Sequence, residues 1–444
     1  MATNIAGENG DGEIAIQPYN MHVSARYLDL TKRKLELTRL PRELLLPEHR
    51  KWDYGTPKTT LEPLLDYWLE EYDWRAQESM FNETLPQYRT TITLNDFTLQ
   101  SSPHPPLRVH FVHKRSSRPN SIPLLFCHGW PGSFTEVSKV INKLAEPINE
   151  PSMGSGPTLG FHVVCPSIPG FGFSDSSPHE GFGLKATADI FDALMRRLGY
   201  NEYVVHGAGW GFKISRMIAL QHPENCLAVH TTSPELPPPK VKRSPLAFMK
   251  YHAARLTKAR LQPLSFGYVP SEFQMNHNYE QSSDECLGSQ YGQRPQTRAY
   301  SLCDSPIGLL ASMLDAIQYT SNTYTWSATE ILNWTMMHWL PGPEAGLRWL
   351  RAANREVGAE CWDTYSHVPL GISHFRPVGT GSRVSTTPPT WASSIQNLQW
   401  IKRHQHEARR PAFDAPDELV VDLREFYQHA IDAHLVRFKP LDGS

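Results

Sequence analysis

The chain reads as an α/β protein built on a mostly parallel sheet, on three observations. Short apolar runs alternate with amphipathic stretches between residues 122 and 234. Those runs place apolar residues at consecutive positions rather than only at alternate ones. One of them passes straight into a helix through a glycine-rich turn, Gly207-Ala208-Gly209-Trp210-Gly211. Strands that are apolar on both faces belong to a sheet covered by helices on both sides, as parallel α/β sheets are.

The elements follow in order. Residues 1–13 are polar and are expected to be disordered. From Ile14 to about residue 90, LTKRKLELTRL and TLEPLLDYWLEEYDWRAQESMF space their apolar residues three and four apart, as helices do. From about Tyr88, the β-branched and aromatic runs TTITL, LRVHFVH and SIPLLFC predict strands leading into the core. The alternation then begins. Strand IPLLFC (122–127) ends at HGWPGS, and helix TEVSKVINKL leads to strand FHVVCP (161–166). Helix KATADIFDALMRRLGY leads to strand EYVVHG (202–207), and helix WGFKISRMIALQHP to strand CLAVHTTSP (226–234). After PELPPP (234–239) the alternation stops. Residues 240–365 are helical and rich in Trp and Tyr, and read as a lid inserted between core strands. The core resumes at HVPLGIS (367–373) and LQWIK (398–402) and closes with helix DELVVDLREFYQHAIDAH. RPVGTGSRVSTTPPT (376–390) is a loop of a length usually reserved for function or mobility. The predicted organisation is an N-terminal arm (14–115), a first core half (116–239), the lid (240–365) and a second core half (366–444).

Composition narrows the function. The 444 residues are 40% hydrophobic with a formal net charge of −2, which gives no electrostatic reason to bind nucleic acid or an acidic membrane. No run approaches the roughly 18 apolar residues of a membrane span. The first dozen residues lack the apolar core of a secretory signal, so a reducing, cytoplasmic setting is expected. The six cysteines have no paired spacing, and no metal site is expected from them. Nor is a cofactor: a dinucleotide loop would need glycine where Phe212 stands. The expected partner is a hydrophobic small molecule, and the oligomeric state is not legible.

The turn at 207–211 is where nucleophilic chemistry is expected. A G-x-nucleophile-x-G turn between strand and helix lifts the central side chain over the sheet. Here the centre is Gly209, which cannot form a covalent ester. His128-Gly129-Trp130-Pro131, after the first core strand, is a turn of the kind that supplies backbone N–H groups to an oxyanion. Trp130 is expected to wall the pocket; for His128 a buried structural role competes with a pocket role.

The whole chain resembles the microsomal-type epoxide hydrolases. KWDYGTP…LLDYWLEEYDWRAQE, HFVHKRS, FCHGWPGSF, FHVVCPSIPGFGFSD, LMRRLGY, RPQT…L.DSPIGL, VPLGIS and DELVVDLREF carry the resemblance over roughly residues 14–430. It implies an α/β-hydrolase fold with a wrapping N-terminal arm and an inserted helical lid. The reaction implied is epoxide opening by Asp, with two lid tyrosines on the epoxide oxygen and hydrolysis by a His–acid pair. Carried over by position, the nucleophile falls on Gly209 beside Trp210, and the base on Arg409. The two tyrosines fall on Leu287 and Leu350. The acid's position, near Val378 and Gly379, is the loosest part of the match.

Other residues could act instead. His206 ends the strand before the turn, and His404 and His406 precede Arg409. Histidine is the usual base near neutral pH. Arg409 cannot accept a proton, but it could bind a carboxylate, an enolate or a developing oxyanion, or simply pair with Asp414. Asp175 reads as a turn residue, Asp192 and Glu235 as acids without an evident partner. His404-x-His406 would need a third ligand to hold a metal. Three functions follow, with Arg409, His206 and His406 as candidate catalytic groups. The first is a cyclase or isomerase of a hydrophobic secondary metabolite, working by orientation. The second is a ligand-binding protein without catalysis. The third is an epoxide hydrolase in which water attacks directly.

Overall fold

The computed structural model describes residues 15–93, 104–147, 159–273, 291–320, 324–376 and 387–439. The expected disorder of residues 1–13 and the position of Leu287 lie outside them.

Among the described residues, nine strands form one sheet: β1 (Gln17–Pro18), β2 (Gln87–Ile92), β3 (Leu107–Lys114), β4 (Ile122–Cys127), β5 (Phe161–Pro166), β6 (Tyr203–Gly207), β7 (Cys226–Thr232), β8 (Ser366–Arg376) and β9 (Gln396–Glu407). Their order is β1-β2-β3-β5-β4-β6-β7-β8-β9. The pairs from β1 to β5 through β3 are antiparallel, and every pair from β5 through β4 to β9 is parallel. The central parallel strands are fully covered: every residue of β4, β5 and β6 is buried. Buried residues pack into two large clusters, one on each face of the sheet, as expected of a covered parallel sheet.

In the arm, α1 (Ala25–Glu36), α2 (Lys58–Glu70) and α3 (Trp74–Thr84) precede β2. Asp73 caps α3 by accepting from the N–H groups of Arg75 and Ala76. Core helices α4 (Leu184–Arg197) and α5 (Trp210–Gln221) match their predicted spans closely. The helical region between β7 and β8 contains α6 (Pro245–Thr257), α7 (Pro295–Asp304), α8 (Pro306–Thr320), α9 (Ala328–Trp339) and α10 (Glu344–Glu356). The chain closes with α11 (Pro411–Asp414) and α12 (Pro416–Asp432).

One predicted helix is corrected. TEVSKVINKL is a 3-10 turn over Phe134–Lys139 followed by a five-residue helix, Ile141–Ala145. The β-branched residues Thr135, Val137, Val140 and Ile141 disfavour a continuous helix, and short tight turns result. Among the described residues, no helix is long and apolar enough to cross a membrane.

Candidate active site

From β4 the chain moves to β5 on one side, and from β6 to β7 on the other. Connections that leave neighbouring parallel strands in opposite directions open a crevice at the strands' carboxyl ends. The cavity is there. Its lining comes from the ends of β4, β6 and β7, the first turn of α5 and the stretch Arg409–Ala412 before α12.

Gly209 stands at the tip of the turn after β6, with φ 53° and ψ −119°. The flanking glycines are sterically required. A Cβ on Gly207 would come within 2.4 Å of the Gly211 carbonyl oxygen, and one on Gly211 within 2.1 Å of that of Cys127. Gly129 packs on the same turn: a Cβ there would lie 3.2 Å from the Gly211 nitrogen and 3.3 Å from the Ala208 oxygen. The His128–Pro131 turn and the Gly209 turn therefore meet backbone to backbone.

Glu136, which sequence reasoning missed, enters this junction from the 3-10 turn and lines the cavity. It keeps some accessible surface because it borders the void, yet protein holds it away from bulk water. Burial pushes its carboxyl up to about 7, against the pull of the Arg410 guanidinium and a hydrogen bond from the Gly129 N–H. That N–H, expected for an oxyanion, is thus turned to Glu136. A Cβ on Gly132 would lie 1.4 Å from Glu136 Oε1, so the carboxyl rests against a bare Cα. Nothing local marks this residue, since TEVSK reads as an exposed helical turn.

Arg409 lines the cavity, its Nη2 3.1 Å from Glu235 Oε1. Its main-chain N–H donates to Asp414 Oδ2 at 2.8 Å. Arg410 stacks over Trp334 at 5.0 Å. Lys213, 2% exposed, holds its ammonium 4.3 Å from the Trp210 ring centre. Trp210 and Trp130 both line the cavity, and Trp130 packs at 5.1 Å on Tyr291 of the lid.

The remaining expected residues divide. His206 borders the cavity, but its Nδ1 is 3.0 Å from Nδ1 of His230, and burial pushes its ring down to about 3. It heads a polar chain leading away, through His230 and Ser373 to Asp422, which His404 also contacts at 2.7 Å. His128 takes the structural role: Nδ1–H donates to the Gly129 oxygen, and Nε2 accepts from the Ile168 N–H. With both nitrogens engaged it does not line the cavity. His406 is not brought there either; half-exposed on β9, it stands 3.9 Å from Glu418. Leu350 is fully buried in the core on α10 and is no counterpart to a group facing the cavity. Asp192 holds Tyr203 and Arg196, and Asp175 pairs with Arg108. Among the described residues, no group of three or more His, Cys, Asp or Glu is arranged for a metal ion.

Comparison with known proteins agrees with this architecture. Residues 16–137 match the family described as "Epoxide hydrolase N terminus", and residues 122–301 match "alpha/beta hydrolase fold". Epoxide hydrolase 1 of Sus scrofa is 28% identical, over 93% of this chain and 88% of its own. The structure of Aspergillus niger epoxide hydrolase superposes with a TM-score of 0.68 at 25% identity, over 94% of this chain and 97% of that one. The juvenile hormone epoxide hydrolase of the silkworm Bombyx mori gives a TM-score of 0.71 at 20% identity, over 95% of each chain. With its N-terminal segment, its α/β-hydrolase core and the sharp turn after β6, this chain belongs to the microsomal-type epoxide-hydrolase family.

Proposed function

We propose that this protein opens a small hydrophobic epoxide in one step, with water as nucleophile and Glu136 moving the proton, and without an ester at the turn after β6. The observation that carries this reading is a carboxyl held near neutral pKa in the cavity that Gly209 borders. A base works best when its pKa lies near the operating pH. Ionised Glu136 takes a proton from water as the water oxygen attacks an epoxide carbon and the C–O bond breaks. The same carboxyl then returns that proton to the alkoxide, so the diol forms and Glu136 is restored. Lys213 and Arg410 stabilise the negative oxygen while it lasts. His206 is unsuited as the base, because a ring with so low a pKa binds a proton weakly.

Ring closure by the substrate's own hydroxyl would use the same groups, and binding without turnover would use the same walls. A single-turnover reaction with styrene oxide in oxygen-18 water separates the routes. Direct attack gives diol labelled on the first turnover. Attack by Glu136 itself gives unlabelled first-turnover diol and a labelled carboxylate. Assayed with an epoxy alcohol, ring closure gives an unlabelled isomer, and a binding protein gives no product. Any result but the first overturns the reading.

A further inference from the structure

The formal net charge of −2 hides one strongly basic segment. Residues 240–271, which follow PELPPP, hold seven Lys and Arg and no Asp or Glu. Six of the seven, Lys240, Lys242, Lys250, Arg255, Lys258 and Arg260, are exposed. The seventh, Arg243, is held by Asp363 and by the Trp362 carbonyl.

The same segment exposes apolar side chains. α6 has Pro245 in its first turn and stops at Lys258, which adopts the left-handed conformation. Tyr251 and Ala254 bury the inner side of the helix, Tyr251 meeting Trp391 edge-on at 5.3 Å. Leu246, Met249, Ala253 and Leu256 recur at i, i+3, i+7 and i+10, so they share one stripe, on the far side from Tyr251 and Ala254. A helix packed on a protein needs one apolar face; this one has a second, turned outward. Leu246, Met249 and Leu256 are 58%, 59% and 88% exposed. Past the helix, Leu261, Leu264 and Phe266 are exposed as well. Single exposed apolar residues are ordinary, but a stripe of them marks a surface that something covers.

Charge decides what covers it. A second copy of this face would set six exposed cations against six. An anionic lipid surface accommodates both features at once. Its acyl chains take the stripe, and its phosphates take the lysine and arginine tips, whose long stems reach past the apolar side chains. The cations also bracket α6, with Lys240 and Lys242 before it and Lys258 and Arg260 after it, which suits a helix lying in the plane of the headgroups.

We propose that α6 and the turn after it dock this protein on the surface of an anionic phospholipid bilayer without crossing it. The proposal stands apart from the chemistry of the cavity.

The test floats the full-length protein with vesicles of phosphatidylcholine, alone or with about 30 mol% phosphatidylserine. Binding is expected to be at least about tenfold stronger with phosphatidylserine, and to weaken at least about tenfold between about 0.1 M and 0.5 M salt, because the charges are exposed. Two triple variants divide the contributions. Leu246→Ser/Met249→Ser/Leu256→Ser changes only exposed side chains and is expected to cut binding to the anionic vesicles at least about tenfold. Lys250→Glu/Arg255→Glu/Lys258→Glu is expected to abolish the preference for phosphatidylserine. Thermal unfolding of both variants and light scattering of the free proteins run in parallel. No binding to the anionic vesicles overturns the proposal, as does undiminished binding or preference in either folded variant. A dimer that the serine variant takes apart overturns it too, since the stripe would then be an interface between copies.

Discussion

Replacing Glu136 by Gln separates activity from stability with opposite signs. Burial raises this carboxyl from its ordinary value near 4.5 to about 7. The folded protein therefore holds a proton that the unfolded chain releases between those two pH values. Folding stability is highest below about pH 4.5 for this group and falls as pH rises through 7, where the carboxylate must be ionised inside the protein. At about 1.4 kcal/mol per pKa unit, the loss is about 3 kcal/mol at most, and water in the cavity screens part of it. Gln keeps the shape and an oxygen for the Gly129 N–H but does not ionise. The variant is expected to match the parent near pH 4.5 and to exceed it by about 2–3 kcal/mol at pH 8. Its turnover is expected to fall about 10²–10⁴-fold, the usual worth of a positioned acid–base group. Urea unfolding of both proteins across pH 4.5–8.5, with initial rates on the same preparations, measures both effects. Parallel stability curves would mean that Glu136 is not buried as described. Turnover within a few-fold of the parent would mean that it does not move the proton.

Three other changes test neighbouring steps. Gly132→Ala puts a methyl where the Glu136 carboxyl lies, so it should displace the carboxyl and cut turnover at least about tenfold, with a pH–rate profile shifted from the parent's; an unchanged profile in a folded variant refutes the contact. Gly209→Asp places a carboxylate at the tip with Arg409 in place of a base. It should reduce turnover and accumulate protein heavier by one substrate in intact-mass spectra, and undiminished turnover would count against a tip that works only when empty. Trp130→Ala should raise KM about tenfold by removing cavity wall, whereas His406→Ala should leave kinetics within twofold; a large effect of His406→Ala would relocate the site.

The fold was legible because parallel strands leave a plain mark: IPLLFC, FHVVCP and YVVHG are mostly apolar at consecutive positions, and the turns after them are rich in glycine. Gly207 and Gly211 were readable for the same reason, since close backbone contact forbids a side chain on either side of the tip. Glu136 was not readable, because its burial is tertiary. The 3-10 turn carries it to the junction of two turns more than 70 residues apart in sequence, and Arg410 arrives from beyond β9. His128 and Leu350 do not line the cavity, and sequence position does not say which way a side chain faces. The first is locked by two main-chain partners, and the second turns inward on an otherwise amphipathic helix.

The backbone angles of Gly209 also bear on how reversible this arrangement is. At φ 53° and ψ −119°, any residue with a Cβ carries strain of about 1–3 kcal/mol, which glycine escapes. A mutation placing a side chain at the tip would therefore be destabilising before it could be useful. Ionised, it would also add a charge to a lining that already holds Lys213, Arg409 and Glu136. Several positions would have to change together for a covalent route to open. The glycine thus leaves the turn unstrained and offers no side chain for covalent attachment at that point.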